Sequence, residues 1–264
     1  MAEADDTVAR GYDALYAAWG RSPTLRRIWR ELVTGPDYPE DFAHISFLRP
    51  AQLRAVSAGL HVAEGQVLVD LACGAGGPGL WVARETGARL VGRDFSPVAI
   101  ERARERAAAL AMGALADYAP GSFAATGLAS ASADAVMTID GLQYAPDKTE
   151  ALREVARILR RGGRLAFMAF EFDVARSSGL PVWLDPVADY RPVLERTGFD
   201  VLSYEQIPNW RQDVEAGFGA VVGQREALAA ELGEEAAAAM VLEASVTLDL
   251  QPYCGHALAI AERS

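Results

Sequence analysis

Residues 67–94 restrict the fold of this chain more than any other segment. They contain two apolar runs, VLVDLA and ARLVGRD, separated by a turn with glycines at 74, 76 and 79 and by a helical stretch. An uninterrupted apolar run is typical of a strand buried on both faces of a parallel sheet. Parallel strands need a crossover between them, which is usually a helix. The segment therefore predicts a strand–helix–strand unit within a parallel sheet.

The alternation of strand and helix continues to residue 170 and then breaks. Further strands are predicted at 117–121, 134–140, 163–170, 199–207 and 253–263, and the main helices at 97–112, 148–159, 187–197 and 211–243. Right-handed crossovers between the first five strands give a parallel sheet with helices on both faces. The final strand–long helix–strand order suits a last strand that inserts antiparallel. We therefore predict an α/β fold with a doubly wound, mostly parallel, seven-stranded sheet.

Two regions are predicted along the chain. Residues 1–62 form a helical N-terminal cap or lid, in which Ser22-Pro23 begins one helix and Pro50 to Leu60 forms another. Residues 63–264 form a Rossmann-like domain. It carries an insertion on the substrate side at about 171–190, where prolines interrupt the pattern.

Composition and charge restrict the partners of the chain. The formal net charge is -11, and nucleic acids are bound by basic surfaces, so no nucleic-acid partner is expected. The acidic start of the chain lacks a hydrophobic signal, and the apolar stretch 236–242 is too short for a bilayer. Both features predict a cytoplasmic protein without a membrane partner. Cys73 and Cys254 alone give no zinc spacing, so no metal is expected, and a homodimer is left open.

The glycine turn has the features of a ligand site. Gly74 and Gly76 lack Cβ atoms, so a ligand can lie directly on the backbone, and the next helix presents free N–H groups at its N-terminus. Asp94 lies 20 residues beyond Gly74 at the end of the second strand. A carboxylate at that position accepts hydrogen bonds from both hydroxyls of a ribose. Doubly wound sheets bind their ligands in this crevice.

The sequence contains three motifs that belong together. They are DLACGAGGPG at 70–79, GRDFS at 92–96 and LREVARILRRGGRLAF at 152–167. Together they resemble class I S-adenosylmethionine-dependent methyltransferases, in particular the small-molecule enzymes of ubiquinone and secondary metabolism. The resemblance implies S-adenosyl-L-methionine as cofactor and methyl transfer to the oxygen, nitrogen or carbon of a small molecule. A secondary metabolite is the expected substrate.

Two alternatives stand beside this interpretation. The spacing Gly74-x-Gly76-x-x-Gly79 also fits a dinucleotide site, and hence a nicotinamide-dependent oxidoreductase. Asp70 argues against it, because a carboxylate before the turn repels a pyrophosphate but suits the cationic methionine end of S-adenosylmethionine. Such an oxidoreductase also needs a proton relay such as Tyr-x-x-x-Lys, and we assign no residues to one. A non-catalytic S-adenosylmethionine-binding module is the second alternative.

The resemblance also implies which residues bind the cofactor. The methionine portion is assigned to Asp70, Ala72, Cys73, Gly74 and Gly76, the ribose to Asp94, the adenine to Phe95, Ser122 and Phe123, and the border with the substrate to Asp140. Four positions depart from the family pattern, and one of them, Arg161 in place of a proline in the later turn, is expected to be neutral. Ala72 replaces a glycine, Ser122 replaces an acidic residue, and Arg93 occupies a strand position that is normally apolar. Pairing of Arg93 with Asp94 would weaken cofactor binding.

The candidate catalytic residues are His44, Asp140 and Tyr144. A hydroxyl acceptor benefits from a general base, whereas a free amine or an enol-like carbon needs little help. His44 is expected to overhang the site from the cap, or else to bond a nearby backbone carbonyl. Asp140 alternatively only lines the cofactor. His256 is expected to be structural, because the last strand alternates around it.

Aromatic residues are concentrated in the predicted lid elements. They are Tyr12, Tyr16, Trp19, Trp29, Phe42, Phe47, Phe172 and Trp183. One interpretation is an apolar, aromatic-walled pocket for a hydrophobic or planar substrate. The other is that these side chains pack the cap onto the sheet. We expect each interpretation to hold for some of them.

Overall fold

The computed structural model describes residues 12–13, 15–17, 19–173, 175 and 185–264. Within these ranges seven strands form one sheet: β1 Val67–Leu71, β2 Arg89–Asp94, β3 Ala116–Pro120, β4 Ala133–Ile139, β5 Leu159–Phe172, β6 Phe199–Gln206 and β7 Cys254–Arg263. The strand order is β3-β2-β1-β4-β5-β7-β6. Only β7 runs antiparallel to its neighbours. The predicted fold is confirmed.

Helices cover both faces of the sheet. Their bounds are α1 Pro23–Ile28, α2 Pro50–Leu60, α3 Gly77–Thr86, α4 Pro97–Ala109, α5 Lys148–Ile158, α6 Arg191–Arg196, α7 Trp210–Gly223, α8 Arg225–Leu232 and α9 Glu234–Leu250. A π-helical turn, Trp29–Val33, follows α1, and short 3-10 turns lie at Glu40–Phe42, Leu142–Tyr144 and Gln251–Tyr253. Among the described helices, none has the length and apolar character needed to cross a bilayer.

The central strands are apolar because both of their faces are covered. Leu68 of β1 packs into the hydrophobic cluster on one face of the sheet, whereas Val69 and Leu71 pack into the cluster on the other. All three side chains are at most 1% exposed. The apolar side chains of β1 are therefore a direct consequence of burial on both faces of the sheet.

Three predicted boundaries need correction. The predicted helix at 187–197 begins only at Arg191, and the helical region at 211–243 is three helices, broken before Arg225 and at Gly233. The predicted helix at 148–159 ends at Ile158, and β5 begins at Leu159 and not at residue 163, with an irregularity between Leu159 and Arg164. There Leu159 pairs with Ala133 and Arg164 with Ala135, so four residues oppose one. Much of the predicted insertion, 174 and 176–184, lies outside the described residues.

The segment before the sheet is partly a cap and partly a sheet layer. The Ser22 hydroxyl accepts the N–H of Leu25, so α1 begins at the predicted cap. In α2, Leu53, Val56 and Leu60 form the buried face. Gly59 of α2 lies against the side chain of Ile260 in β7. The helix α2 therefore covers the sheet, and the domain division at residue 62 stays a prediction.

The connections at one edge of the sheet define a crevice. Strand β1 pairs with β2 on one side and with β4 on the other. The connection after β1 leads to β2 and the connection after β4 leads to β5, so the two connections leave in opposite directions. Directly after β1 and β4, Ala72 and Asp140 adopt the left-handed conformation, with φ of +54° and +50°. Both turns leave the crevice open above the strand ends.

Substitution of Gly77 by alanine measures how closely the cap lies on α3. A Cβ at residue 77 would come within 2.3 Å of the Phe42 carbonyl oxygen and 2.9 Å of the Ala43 carbonyl oxygen. Backbone atoms cannot move aside cheaply, so we expect Gly77→Ala to lower the free energy of unfolding by about 1–3 kcal/mol in urea denaturation.

Gly219→Ala is the matched control. Gly219 lies inside α7, and a Cβ there would have no atom within 4 Å. We expect the same substitution to raise the free energy of unfolding by about 0.5–1 kcal/mol, because alanine favours a helix interior. Equal effects of the two substitutions would show that the cap does not seat on residue 77.

Candidate functional site

One large cavity lies above the carboxyl ends of β1, β2 and β4. Its volume is about 1710 Å³, larger than the roughly 300–1,000 Å³ of an ordinary ligand pocket. The cavity is lined by the glycine turn, by the cap, and by α7 and α9. The space is therefore sufficient for a cofactor and a second molecule side by side.

The glycine turn needs its glycines for two reasons. Gly74 and Gly76 have φ of +53° and +77°, which favours glycine over residues with a side chain. A Cβ at Gly74 would lie 2.3 Å from the Tyr16 hydroxyl, and one at Gly76 would lie 2.6 Å from the Tyr118 hydroxyl. The turn thus exposes bare backbone to the cavity, and Tyr16 brings the cap directly onto it.

The backbone conformation of Ala72 shows why the family pattern has a glycine at this position. With φ of +54° it holds a conformation that costs an L-residue with a side chain roughly 1–2 kcal/mol. Glycine removes that cost, which is the physical reason for a glycine at this position in related sequences. The Ala72 Cβ points at Gly141, where a Cβ would come within 2.6 Å of it. The turn after β1 and the turn after β4 therefore lie in contact.

Asp94 has the geometry expected of a ribose-binding carboxylate. It is 4% exposed and lines the cavity. One oxygen accepts the Gly74 N–H at 2.8 Å, and the other accepts the Ser96 N–H at 2.9 Å. Burial raises the pKa of Asp94, while these two donors oppose the rise. Each oxygen keeps a further lone pair, so the carboxylate can accept two hydroxyls of a diol.

Asp70 lies beneath the turn at the end of β1. It is 2% exposed, and a Cβ at Gly79 would lie 2.4 Å from its Oδ2. Burial, and then the charge of Asp94, raise the pKa of this carboxyl. Its position beside the first turn of α3 lets the helix N-terminus offset part of that cost. The predicted attraction of Asp70 for a cationic group stays a prediction.

The predicted adenine side is open and aromatic. Phe95 is 41% exposed and faces the cavity, with its ring edge-on to Tyr12 at 6.1 Å between centroids. Phe123 also lines the cavity. The Ser122 backbone N–H donates to the Ala125 carbonyl, and its hydroxyl oxygen accepts the Ala125 N–H. The hydroxyl proton of Ser122 therefore stays available as a donor.

Arg93 does not bind Asp94. Its guanidinium contacts Asp117 at 3.3 Å and the carbonyl oxygens of Gly92 and Thr126 at 2.9 and 3.3 Å. These contacts turn the side chain toward β3. The pairing that would weaken cofactor binding is absent from the described contacts of Arg93.

Asp140 joins three parts of the molecule. Its Oδ2 accepts the Phe47 N–H of the cap at 2.8 Å, and its Oδ1 lies 2.7 Å from His256 Nε2 in β7. His256 is fully buried and stacks on Phe170, with ring centroids 4.2 Å apart. Burial alone would raise the pKa of Asp140, but His256 and the Phe47 N–H outweigh it and hold the pKa below its usual value.

His44 lines the cavity, and its protonation suits a donor. Its Nδ1 accepts the Ser46 N–H at 3.1 Å, which places the ring proton on Nε2. Within the described ranges Nε2 has no hydrogen-bond partner. Burial lowers the pKa of His44 to about 4, so the ring is neutral near pH 7. His44 can donate to a substrate atom, and the geometry disfavours it as a base.

A Tyr-x-x-x-Lys spacing does occur in the chain, at Tyr144 and Lys148. These two residues do not form a relay in the structure. The Lys148 ammonium is buried and donates to the Ala145 carbonyl at 2.8 Å. Tyr144 faces the cavity, where its hydroxyl lies 3.3 Å from Glu243 Oε1, whereas Lys148 does not line it. The oxidoreductase alternative gains no support from this spacing.

The aromatic residues divide between the two predicted roles. Those that line the cavity are Tyr12, Tyr16, Trp19, Trp29, Phe47 and Phe172. Phe42 does not line it: the ring is 1% exposed and lies under the Arg84 guanidinium of α3, 4.3 Å from its carbon. Trp183 lies outside the described residues. The expectation of a mixed set is confirmed for the residues that the structure describes.

Two residues of the site were not found by sequence reasoning. Glu243 of α9 projects into the cavity, and His256 holds Asp140 from behind. Glu243 sits in an alanine-rich helix that carries no recognisable motif. His256 was interpreted as structural, and the strand alternation could not reveal that it lies opposite Phe170. Only the register of β7 against β5 brings it to Asp140.

Comparison with known proteins identifies the central part of the chain. Residues 69–167, from β1 to β5, match the family model of a methyltransferase domain. These residues form a methyltransferase domain. Methyltransferase GfsG of Streptomyces halstedii is 28% identical over 214 residues, which cover 76% of either protein.

Solved structures agree with the fold of this methyltransferase domain. The crystal structure of the [4+2]-cyclase SpnF superposes with a TM-score of 0.75 at 20% identity, covering 97% of this chain and 95% of that one. Geranyl diphosphate C-methyltransferase of Streptomyces coelicolor A3(2) gives 0.60 at 17% identity, covering 81% and 77%, and was crystallised with S-adenosyl-L-homocysteine. The predicted resemblance to methyltransferases is confirmed for residues 69–167, whereas S-adenosylmethionine as the cofactor and the roles of individual residues are proposals.

The His44 interpretation predicts a specific dependence of stability on pH. Above about pH 6.5 the ring is neutral in the folded and unfolded chains and contributes nothing. As the pH falls toward 4, the unfolded chain binds a proton that the folded chain does not, so the folded state loses stability. Between pH 7 and pH 5 we expect wild type to lose about 2 kcal/mol more than His44→Asn, which cannot titrate.

Urea denaturation of both proteins across this pH range provides the measurement. The difference between the two curves isolates residue 44 from the carboxyl groups that titrate in the same range. His61→Asn is the control, because His61 is exposed at the end of α2 and should leave the curve unchanged. Parallel curves for wild type and His44→Asn would show that His44 is not held neutral.

Proposed function

We propose that this methyltransferase transfers the methyl group of S-adenosylmethionine to oxygen, nitrogen or carbon of a hydrophobic or planar secondary metabolite. One observation carries the proposal: the glycine turn and Asp94 open into the same large cavity as an aromatic-walled chamber. A cofactor on the turn and a substrate against the aromatic wall would therefore meet inside one enclosure.

The residues of the turn and the neighbouring strand ends fit the cofactor. Asp94 offers two oxygens to the ribose hydroxyls, Phe95 and Phe123 offer aromatic faces to the adenine, and Gly74 offers open backbone to the methionine portion. When bound, the cofactor supplies an electrophilic methyl group on a sulfonium centre. The chain has to align the acceptor, exclude water and, for some acceptors, remove a proton.

The substrate side supports a hydrophobic acceptor. Trp29 and Phe47 of the cap pack edge-on against Phe218 of α7, and these three rings line the cavity together with Trp210. An apolar wall with few polar groups suits an apolar or planar ligand. The relatives support this class: GfsG is a bacterial methyltransferase, and geranyl diphosphate, which is bound by one neighbour, carries an apolar chain.

The fold alone does not choose the reaction. SpnF is described as a [4+2]-cyclase although it shares the fold over nearly the whole length of both chains. Function therefore has to be argued from the site and tested. The alternatives are a nicotinamide-dependent oxidoreductase and a module that binds S-adenosylmethionine without turnover, and cofactor titration with a turnover assay separates them.

Calorimetric titration with S-adenosylmethionine, S-adenosylhomocysteine and NADPH tests the cofactor site. We expect the first two to bind and Asp94→Ala to weaken both by at least about thirtyfold, since two hydrogen bonds to a charged group are lost. Asp200→Ala, which removes an exposed carboxylate in β6, should bind like wild type. NADPH binding alone, or full binding by Asp94→Ala, would overturn the assignment.

A further inference from the structure

The wall of the cavity that α9 provides carries one ionisable side chain. The residues of α9 that face the cavity are Met240, Glu243, Thr247 and Leu250. They recur at helical spacing, so Glu243 belongs to the same face as its apolar neighbours. Burial disfavours the charge of a carboxylate, so a carboxyl group that faces an aromatic cavity wall lowers stability unless a partner compensates for it.

Two tyrosines hold this carboxyl group in place. The Tyr144 hydroxyl donates to Glu243 Oε1 at 3.3 Å, and the Tyr12 hydroxyl donates to the same oxygen at 3.4 Å. Their rings lie edge-on, 5.7 Å apart. Among the described residues no hydrogen bond is made to Oε2. One oxygen is therefore anchored, and the second is available to a molecule in the cavity.

The other carboxylates of the cavity wall have different tasks. Asp94 binds the glycine turn, Asp70 is buried beneath it, and both oxygens of Asp140 are engaged, by Phe47 and by His256. Glu105 lies on the exposed surface of α4 at the rim. His44 carries its proton on the nitrogen that lacks a partner. Glu243 is the carboxylate that remains on the substrate side of the described site.

We propose that Glu243 binds the hydroxyl group of the acceptor and takes up its proton, so that the substrate is an alcohol or a phenol. The inference rests on the proposed methyltransferase function. Tyr12 and Tyr144 are positioning residues, because they fix one carboxylate oxygen and leave the other directed to the substrate. The cluster joins the cap, the turn after β4 and α9 around a single acceptor atom.

The reaction balances without a further reagent. The acceptor oxygen forms a bond to the methyl carbon, and the carbon–sulfur bond breaks with its electron pair remaining on sulfur. The hydroxyl proton passes to Glu243, whose carboxylate becomes a neutral carboxylic acid. Release of that proton to solvent after product departure restores the carboxylate.

The chemistry of the group favours a hydroxyl over the other acceptors. A neutral amine already has a lone pair, whereas a hydroxyl is a weak nucleophile until its proton is removed. Burial raises the pKa of Glu243, and the two tyrosine hydroxyls partly oppose the rise. A carboxylate with a raised pKa is a stronger base near neutral pH than an exposed one.

Three probes that differ at one functional group test the inference without turnover. They are 4-nitrobenzyl alcohol, its methyl ether and 4-nitrobenzylamine, and their binding is followed by quenching of the tryptophans that line the cavity, among them Trp29 and Trp210. We expect the alcohol to bind wild type about tenfold more tightly than the ether, since only the alcohol can donate to a carboxylate. The amine carries a positive charge near neutral pH, so its binding reports on the charge of Glu243 and not on the hydroxyl class.

The variants assign this preference to one side chain. Glu243→Gln should abolish the tenfold preference and leave affinity for the ether unchanged. Glu235→Gln, the same substitution at an exposed position of α9, should keep the preference. Tyr144→Phe removes a hydrogen bond that lowers the pKa of Glu243, so the preference should appear only at higher pH than in wild type. Tyr12 and Tyr144 are the titratable side chains that affect this carboxyl.

The outcomes separate the inference from the function on which it rests. If wild type binds the alcohol and the ether equally, or binds neither, the proposed role of Glu243 is overturned. The role is also overturned if Glu243→Gln retains the preference for the alcohol. Titration of wild type and Glu243→Gln with S-adenosylhomocysteine tests the function: binding in both with no alcohol preference removes only the inference, whereas absence of binding to wild type removes the proposed function.

Discussion

The site depends on one carboxylate that three parts of the chain share. Asp140 leaves β4 in a left-handed conformation, accepts the Phe47 N–H from the cap and meets His256 of β7. Its side chain is 8% exposed, so losing either partner would leave a charge buried without compensation. The carboxylate of Asp140 thus positions both the cap and the last strand. Because both are fixed to the edge of the sheet, the cavity keeps its shape.

The cofactor half of the site was predictable because it is local in sequence. The turn after β1 requires glycine at φ values that other residues avoid, and Asp94 follows at the end of the next strand, 20 residues after Gly74. Backbone conformation and strand length alone determine this arrangement. The preference for glycine at residue 72 also has a local cause, since Ala72 holds the left-handed conformation that glycine adopts freely.

The substrate half was not predictable, because it is assembled from distant segments. Tyr12 and Glu243 are 231 positions apart and meet only after the cap and α9 close over the same cavity. His256 reaches Asp140 only through the register of β7 against β5. A local spacing can also mislead: Tyr144 and Lys148 match a relay motif, yet their functional groups bind unrelated partners. Sequence periodicity carries no information about contacts between segments that are far apart in the sequence.

The position of β7 between β5 and β6 affects how the protein can be made. It begins at Cys254, so both neighbours are synthesised before the strand that separates them. At roughly 5–20 residues per second, the edge of β5 stays unpaired on the ribosome for several seconds. An open strand edge is a template for association with other chains. The nascent protein is therefore most vulnerable to aggregation after β5 is complete, and arrival of the final strand ends that period.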